Sequence, residues 1–521
     1  MRGRGLVVIG ILAQLCFTAH AYDNGYGLKP FLGWQSWCAV GKCGTDACYD
    51  RQIRQTADAM HANGMAALGF EWIVIDDCWH PTRDANGTLV PFAEYFPHGM
   101  KAVADYVHSL GLKFGLYTSV GTLTCHKGWS PGSFGYYEQD AALFASWGID
   151  YVKMDWCGEN KSIAGHQNFS RALNATGRPM AFELCRGDYE KLDHWGYAPG
   201  IAQVWRADGD HHDSFSHTLE QLAAIKGKST WSGPYGWAYM DMMMTGGEGC
   251  EQIDPKHPLT PDPDHPCHAP GCTDAEYRTE GATYSISASP MMIGTDIRLM
   301  TPIMKQILLN PTLISINQDH LAAPGFETTS CGDAAWVRHL SNGSTAVTVV
   351  NMAASKMEVQ LCLEDIGWNN ANTTRKNVAI GFDIWAGTTS LINGFVKRSL
   401  ESHDNLFFML SPPPPGPPGP APPPPIPPPP TPPPSPGPGP GPEPAPAGYM
   451  EKPNMYCSDH GGTRIFDVQG ETLEKCAAKC NAAGATQCKC FDFNLGSGEC
   501  RGVNNVSLQA TAHGDNAYVR A

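Results

Sequence analysis

The stretch Tyr151-Val-Lys-Met-Asp-Trp-Cys157 has the pattern of a buried strand that ends in polar and aromatic residues. Because a strand directs alternate side chains to one face, Lys153, Asp155 and Cys157 point the same way. We expect the positive charge of Lys153 to lower the pKa of the Asp155 carboxyl and to keep it ionised. An ionised carboxylate is what nucleophilic catalysis requires. On its own the stretch fits a structural ion pair better, and the rest of the chain reverses that preference.

The segment 22–318 repeats such strands in alternation with longer stretches of helical spacing. The strand candidates are Phe31–Gln35, Trp72–Asp77, Lys113–Tyr117, Asp150–Asp155, Pro179–Leu184, Gln203–Ala207, Thr230–Gly233 and Ile286–Ile293. The amphipathic stretches include Asp50–Leu68, Gly99–Ser109, Tyr136–Trp147 and Phe215–Lys226. This alternation favours a (β/α)8 barrel over an open doubly wound sheet, and no Gly-rich phosphate fingerprint follows any strand. Such barrels carry their chemistry at the C-terminal strand ends, where the candidates are Asp76, Asp77, Tyr117, Asp155, Glu183 and Arg206.

Composition limits the classes of partner. The chain has 521 residues, 42% of them hydrophobic, with 14 Trp and a formal net charge of −15. The length allows about two to four domains, and the apolar content suffices for a large core. The acidic balance argues against nucleic acid or an anionic membrane as partner and fits a neutral substrate.

Residues 1–21 have the features of a secretory signal peptide: two arginines, the apolar run Leu6–Phe17, and a small-x-small cleavage site, Ala19-His20-Ala21. We expect a secreted chain that begins at Tyr22 and resides outside the cell, in a wall or matrix, with a lysosome- or vacuole-type compartment as the alternative. No other run is apolar enough to span a bilayer. Most of the 19 Cys then form disulfides. Sequons compatible with export occur at Asn86, Asn160, Asn168, Asn174, Asn342, Asn372 and Asn505.

Three further segments follow the predicted barrel. Residues 319–410 are rich in β-type runs broken by Asn and Gly, which predicts an antiparallel sandwich. These runs are Ala335–Leu340, Ala346–Met352, Met357–Leu361, Val378–Ile384 and Leu406–Leu410. Residues 411–448 are Pro-rich and predict a polyproline II spacer on the order of 100 Å long. Residues 449–521 contain six Cys and predict a small disulfide-stapled module whose pairing stays open.

Several short motifs occur in an order typical of one enzyme family. They are Leu32-Gly-Trp-Gln-Ser-Trp37, Ile75-Asp-Asp-Cys-Trp79, Phe96-Pro-His-Gly-Met100, Gly115-Leu-Tyr-Thr-Ser119, Tyr151–Cys157, Trp205-Arg206 with Asp210, Gly233-Pro-Tyr-Gly-Trp237 with Asp241-Met242, and Asn310–Asp319. Through them, residues 28 to about 410 resemble the α-galactosidase (melibiase) family of clan D retaining glycoside hydrolases. The resemblance implies a (β/α)8 barrel followed by a sandwich. It also implies hydrolysis of terminal α-D-galactosyl residues, from oligosaccharides, polysaccharides or glycoproteins, by a double displacement.

The resemblance assigns Asp155 as the nucleophile and Asp210 as the acid/base. The first carboxylate would attack the anomeric carbon, while the second would protonate the leaving oxygen and then activate water. The substrate-binding positions that it implies are Trp37, Asp76, Asp77, Tyr117, Lys153, Cys185, Arg206, Asp241 and Met242. It implies no cofactor and no metal, and no metal-ligand His pattern accompanies the acidic pair Asp76-Asp77.

The resemblance also implies a disulfide between Cys125 and Cys157, beside the nucleophile. It places Cys78 in a second bridge, for which Cys43 is preferred as partner over Cys38 and Cys48.

Two segments depart from the family pattern. Plant-type relatives end the fifth strand in Leu-Cys-Glu-Trp, where this chain has Leu184-Cys185-Arg186-Gly187. Loss of the Trp wall would admit a larger substituent at C2 of the sugar, unless Arg186 fills the space. The loop Gly246–Cys272, with Cys250, Cys267 and the histidines His257, His265 and His268, favours a disulfide-pinned insertion over a zinc site.

The last 74 residues resemble a PAN/apple module, through the helix motif Thr472–Cys480 and the strand motif Cys488–Phe493. This resemblance implies binding of a wall or matrix glycan or protein. Three alternatives to an α-galactosidase remain open at this point: α-N-acetylgalactosaminidase, β-L-arabinopyranosidase, and a catalytically silent matrix-binding protein. The joint presence of Asp155, Lys153, Arg206 and Asp210 counts against the last.

Overall fold

The computed structural model describes residues 23–39, 49–125, 130–185, 194–247, 271–368 and 377–413, and the backbone of seven strands between 449 and 520. The predicted signal peptide and nearly all of the Pro-rich spacer lie outside the described residues. The chain divides into two compact units, Met1–Gly419 and Pro420–Ala521.

Eight parallel strands form the central sheet of the first unit. They are β1 Leu32–Gln35, β2 Trp72–Val74, β3 Lys113–Ser119, β4 Tyr151–Asp155, β5 Ala181–Leu184, β6 Val204–Arg206, β7 Trp237–Tyr239 and β8 Met291–Ile293. Neighbours in the sheet follow chain order, and β8 pairs with β1. Met243, which follows β7 in the chain, forms an isolated parallel bridge with Ile293 of β8 and so links the two edges of the sheet. The sheet is therefore curled and barrel-like.

Helices follow most of these strands. They are α1 Asp50–Ala62, α2 Gly99–Ser109, α3 Tyr137–Trp147, α4 Ile163–Ala175, α5 His194–Tyr197, α6 Phe215–Ile225, α7 Asp274–Ser287, α8 Pro302–Leu308 and α9 Pro311–Asn317. Short 3-10 turns occupy Ala66–Leu68, Ala198–Gly200 and Ser229–Trp231, and a hairpin pairs Thr82–Arg83 with Leu89–Val90. Among the described helices, none combines the length and apolar character that crossing a bilayer requires.

Two strand predictions are wrong in position. The predicted strand Thr230–Gly233 is a 3-10 turn followed by a reverse turn, and Trp231 is 46% exposed. The seventh strand is β7, because Trp237 and Tyr239 fill the barrel interior while Trp231 faces solvent. The predicted strand Ile286–Ile293 begins too early, because its first two residues belong to α7, which ends at Ser287. Most residues of α7 are buried, so its apolar C-terminal end resembles a buried strand in sequence.

Large side chains fill the interior of the curled sheet, as they do in barrels of this kind. The cluster contains Phe31, Trp72, Val74, Tyr151, Ala181, Val204, Trp237, Tyr239 and Met292. Gly33 on β1 makes room for one of them, since a Cβ at this position would lie 2.5 Å from the Cβ of Trp72. This packed floor supports the polar residues at the strand ends.

An antiparallel sandwich follows the barrel-like sheet. Its strands are β9 Phe326–Ser330, β10 Asp333–His339, β11 Thr345–Val350, β12 Met357–Cys362, β13 Val378–Asp383, β14 Thr388–Asn393, β15 Phe395–Leu400 and β16 Asn405–Ser411. They run in the order β9-β10-β11-β16-β13-β14-β15-β12. The five predicted strands are confirmed, whereas β9, β14 and β15 were not predicted, because exposed polar residues dominate them.

The sandwich packs firmly on the helices of the barrel-like sheet. Arg338 of β10 is 1% exposed and donates hydrogen bonds to the carbonyl oxygens of Ser285 and Asn317, at 3.0 and 3.2 Å. Arg278 of α7 forms a two-pronged ion pair with Asp404, at 3.0 and 2.7 Å. A disulfide joins Cys331 and Cys362 within the sandwich.

The second unit contains seven strands: β17 Tyr449–Pro453, β18 Met455–Cys457, β19 Arg464–Val468, β20 Cys490–Asn494, β21 Cys500–Val503, β22 Leu508–Ala510 and β23 Asp515–Arg520. Five of them form a sheet in the order β17-β23-β20-β21-β19, and β18 pairs with β22. Strand β20 overlaps the predicted strand motif Cys488–Phe493. The predicted helix motif Thr472–Cys480 lies outside the described residues.

Candidate active site

Asp155 is the last residue of β4, and its carboxylate is held in a fixed orientation. The Tyr117 hydroxyl donates to Oδ2 at 2.8 Å, and the backbone N–H of Trp156 donates to Oδ1 at 2.8 Å. The Cys125–Cys157 disulfide lies beside it, with both sulfurs within 4.8 Å of a carboxylate oxygen. The strand end thus presents one oriented carboxylate next to a covalently tied pair of loops.

The expected effect of Lys153 on Asp155 needs correction. Lys153 forms its ion pair with Asp76, at 2.6 Å, and both side chains are almost fully buried. Burial raises the pKa of Asp155, and the charge of Asp210 raises it further, while Lys153 and the Tyr117 hydroxyl lower it. The net direction is upward, because desolvation of a buried carboxylate outweighs the attraction of Lys153.

Asp76 and Asp77 follow β2 and lie at the same end of the sheet. The Ser36 hydroxyl accepts from the backbone N–H of Asp76 at 2.8 Å, and Asp76 Oδ1 accepts from the N–H of Asp77 at 2.8 Å. Both acids are at most 3% exposed. With Lys153 they form a buried array of two carboxylates and one ammonium, which can bind the hydroxyl groups of a sugar.

Arg206, at the end of β6, connects two further carboxylates. Its Nη2 lies 3.0 Å from Asp210 Oδ1 and 3.0 Å from Asp241 Oδ2. Asp241 is 1% exposed, whereas the Asp210 side chain is 50% exposed. Burial pushes the pKa of Asp210 up, but the charges of Arg206 and Lys153 outweigh it, and the pKa lies below its usual value.

Asp241 has an unusual backbone and an incompletely satisfied side chain. Its φ is 69°, in the left-handed region that costs a non-glycine residue of order 1 kcal/mol. The N–H of His211 donates to Oδ2 at 2.7 Å, while Oδ1 has no hydrogen-bond partner among the described residues. Burial raises the pKa of Asp241. Asp241 thus keeps one buried acceptor oxygen available for a further hydrogen bond.

The remaining predicted residues lie around this charged centre. Met242 is buried in a small cluster with Cys38 and Met244, against which Trp37 packs. Cys185 is a buried free thiol, with its Sγ 4.0 Å from Arg206 Nη1. Cys78 is disulfide-bonded. Cys43, Arg186 and Gly187 lie outside the described residues, so the pairing of Cys78 and the C2 wall stay predictions.

The prediction that disulfides pin the loop Gly246–Cys272 is wrong for Cys272 and untested for the other two cysteines of the loop. Cys272 is a free thiol, and its N–H donates to Asp213 Oδ1 at 3.0 Å. Cys250 and Cys267 lie outside the described residues.

A polar layer beneath the site was not predicted as such. Glu183 of β5, Tyr151 of β4 and Gln35 of β1 are fully buried, and both Tyr151 and Gln35 donate hydrogen bonds to Glu183. The alternation Ala181, Glu183, Cys185 carries a signal for this layer, because it directs Glu183 to the same interior face as Cys185. Glu183 appeared in the sequence only as a polar residue near a strand end.

Comparisons with known proteins agree with this geometry. The sequence profile described as alpha galactosidase A matches residues 29–257, and that of the alpha galactosidase C-terminal beta sandwich domain matches residues 333–410. The α-galactosidase of Cyamopsis tetragonoloba is 35% identical over 75% of this chain and 88% of its own. That of Coffea arabica is 36% identical over 75% of this chain and 95% of its own. The crystal structure of α-galactosidase I from Mortierella vinacea superposes with a TM-score of 0.64 at 26% identity, covering 75% of this chain and 98% of its own.

A curled parallel sheet whose strand ends carry a carboxylate pair and a cluster of buried polar groups is typical of a glycoside hydrolase. Relatives more than 30% identical over 75% of the chain make the identification specific. The chain belongs to the α-galactosidase family, and its enzymatic activity is that of an α-galactosidase acting on galactose-containing substrates.

Proposed function

We propose that the chain is a secreted, retaining exo-α-galactosidase that removes terminal α-D-galactosyl residues by a double displacement. The observation that carries this proposal is the arrangement of two carboxylates that differ in exposure and in hydrogen bonding. Asp155 accepts hydrogen bonds from the Tyr117 hydroxyl and the Trp156 N–H, whereas Asp210 is half exposed and forms an ion pair with Arg206. A fixed carboxylate suits covalent attack, and an accessible one suits exchange of protons with a leaving group and with water.

In the first step, Asp155 Oδ attacks the anomeric carbon and the glycosidic bond breaks. Asp210 gives its proton to the departing oxygen. In the second step, Asp210 removes a proton from water, which attacks the same carbon and releases Asp155. Two inversions at one centre leave the α-configuration unchanged. Lys153 and Asp76 bind hydroxyl groups of the sugar, and Asp241 offers its second oxygen to another.

The charges around Asp210 predict an acidic working range. Because its pKa lies below the usual value, the proton needed for the first step is lost as the pH rises. We expect the ratio of kcat/KM on an alkyl galactoside to kcat/KM on a dinitrophenyl galactoside to fall by about tenfold per pH unit above the pKa of Asp210. A dinitrophenyl galactoside needs little acid assistance, so the ratio cancels the ionisation of Asp155, which both substrates require. Parallel declines for both substrates would exclude Asp210 as the titrating acid.

The test of the sugar specificity is a comparison of initial rates on three nitrophenyl glycosides: α-galactoside, α-N-acetylgalactosaminide and β-L-arabinopyranoside. We expect the α-galactoside to be the best substrate by at least about tenfold, because a site shaped for one set of ring substituents discriminates against a sugar that lacks one of them or carries a larger one. The departure at Arg186-Gly187 keeps the acetamido sugar as the second candidate. A faster rate on that sugar would reassign the substrate.

We further propose that residues 449–521 are a PAN/apple-like module that retains the enzyme on wall or matrix material. The Pro-rich composition of 411–448 supports this arrangement, because such a spacer separates domains without packing them together. The features of residues 1–21 support export through a signal peptide.

Ending the chain within 411–448 should leave kcat and KM on small galactosides within about twofold of the full-length values, since the sandwich already completes the first unit. Binding to insoluble wall material should fall instead. Both are measured on the two chains in parallel. Loss of small-substrate turnover on truncation would show that the removed residues contribute to the active site.

A further inference from the structure

Below the sugar-binding groups, the barrel interior contains a closed polar layer built around Glu183. Glu183 Oε2 accepts from Gln35 Nε2 at 3.0 Å and from the Tyr151 hydroxyl at 2.6 Å. The Tyr239 hydroxyl donates to Gln35 Oε1 at 3.2 Å. All four side chains are fully buried. Glu183 is not exposed to solvent, and it is not one of the two carboxylates of the double displacement.

The second carboxyl oxygen of Glu183, Oε1, is unpaired: it has no hydrogen-bond partner among the residues that the structure describes. An unpaired anionic oxygen in a closed interior is costly, so the neutral acid with its proton on Oε1 is the favoured form. The layer is therefore built to hold a proton that solution pH can remove.

Several charged and titratable groups act on this carboxyl from neighbouring strands. Burial raises the pKa of Glu183 to about 7, while Lys153, the Tyr151 hydroxyl and Arg206 lower it and Asp241 raises it. Lys153 is also its direct register partner on the adjacent strand. Glu183 and Asp76 are thus two acids that compete for one buried ammonium, and both act on it.

We propose that Glu183 is a positioning residue that controls how Lys153 is presented to the sugar. As a neutral acid, Glu183 leaves the Lys153 ammonium with Asp76 at the upper, sugar-facing end of the site. As a carboxylate, Glu183 attracts that ammonium downwards into the barrel and withdraws it from the sugar hydroxyls. This inference rests on the proposed sugar-binding role of Lys153.

Ionisation of Glu183 should change the affinity for the sugar more than it changes kcat. The carboxylate oxygens of Asp155 accept hydrogen bonds from the Tyr117 hydroxyl and the Trp156 N–H and not from Glu183, so ionisation of Glu183 should leave kcat nearly unchanged. Sugar affinity should be constant below pH 7 and should fall above it, as the proton is lost. The inhibition constant of galactose, measured against a nitrophenyl galactoside, reports affinity without depending on the acid step.

The test compares the wild-type enzyme with Glu183→Gln between pH 6 and 8.5. Wild-type galactose affinity should weaken over this interval by up to about 30-fold, the limit for one linked proton whose pKa is about 7. The amide has the shape of the acid and keeps an acceptor for Gln35 and Tyr151, but it cannot ionise. Its affinity profile should stay flat to within about twofold.

Glu280→Gln is the matched control. Glu280 is equally buried and its pKa is raised to about 8, but its partners are the Met244 N–H and the Thr245 hydroxyl. We expect this variant to follow the wild-type affinity profile. Tyr151→Phe provides a second test if the Gln variant folds poorly. Loss of its hydrogen bond should raise the pKa of Glu183 and move the fall in affinity to higher pH.

Three outcomes separate the possibilities. A flat profile for Glu183→Gln and a shifted profile for Tyr151→Phe support the inference. A decline in Glu183→Gln that coincides with the wild-type decline overturns it. A wild-type enzyme without turnover of any α-galactoside would instead contradict the proposed function.

Discussion

Asp155→Asn should lower kcat on every galactoside by roughly 10⁴–10⁶-fold, the scale seen when a covalent nucleophile is removed. An amide cannot form the glycosyl–enzyme bond, and no other described side chain occupies the position between Tyr117 and the Trp156 N–H. The loss should not depend on the leaving group, because attack itself is missing.

The same variant should remain folded and should still bind galactose. Asparagine has the shape of aspartate, and its amide oxygen can keep the bond from the Trp156 N–H. Unchanged galactose affinity in a titration therefore serves as the control for a correctly formed site. Residual turnover above about 1% of wild type would place the nucleophile elsewhere.

Asp210→Ala should produce a different pattern. It removes the proton donor for the leaving group, so alkyl galactosides should lose roughly 10²–10⁴-fold in kcat/KM. A dinitrophenyl galactoside should lose far less, because its leaving group departs without a proton. Asp208→Ala, a change of a neighbouring acid in the same loop, should stay near wild type on both substrates.

Azide extends the test of Asp210. Without the general base, the covalent intermediate on Asp155 accumulates, and a small anion can enter the vacated space beside Arg206. Added azide should restore turnover and yield α-galactosyl azide, since azide attacks the β-linked glycosyl–enzyme on Asp155 and inverts the anomeric centre a second time. Formation of the β-azide would mean that azide attacks the substrate directly and that the two carboxylates have been given the wrong roles.

Periodicity was sufficient to locate much of the fold. The predicted strand Asp150–Asp155 and the observed β4 differ by one residue, and α2 was predicted with its observed bounds. β4 is buried on both faces and α2 buries one face, so in each the pattern of apolar residues follows the packing of the element. The strand Thr230–Gly233 failed because local composition does not reveal whether an aromatic residue faces the core or solvent.

The sequence predicted which residues form the site better than it predicted their ion pairs and pKa shifts. The sequence brings Lys153 and Asp155 to one face, but the ion pair forms with Asp76, which is 77 residues away in the chain. The direction of the Asp155 pKa depends on burial and on Asp210, neither of which follows from spacing along one strand. The role of Glu183 likewise emerges only when β1, β4 and β5 are brought together.

The configuration of the first sugar released tests the central claim most directly. Hydrolysis of a nitrophenyl α-galactoside by the wild-type enzyme can be followed by proton NMR before mutarotation equilibrates the anomers. Two displacements at one carbon, first by Asp155 and then by water activated by Asp210, predict that α-galactose appears first and β-galactose only later. If β-galactose appears first, water attacks directly, Asp155 is not a nucleophile, and the account is contradicted.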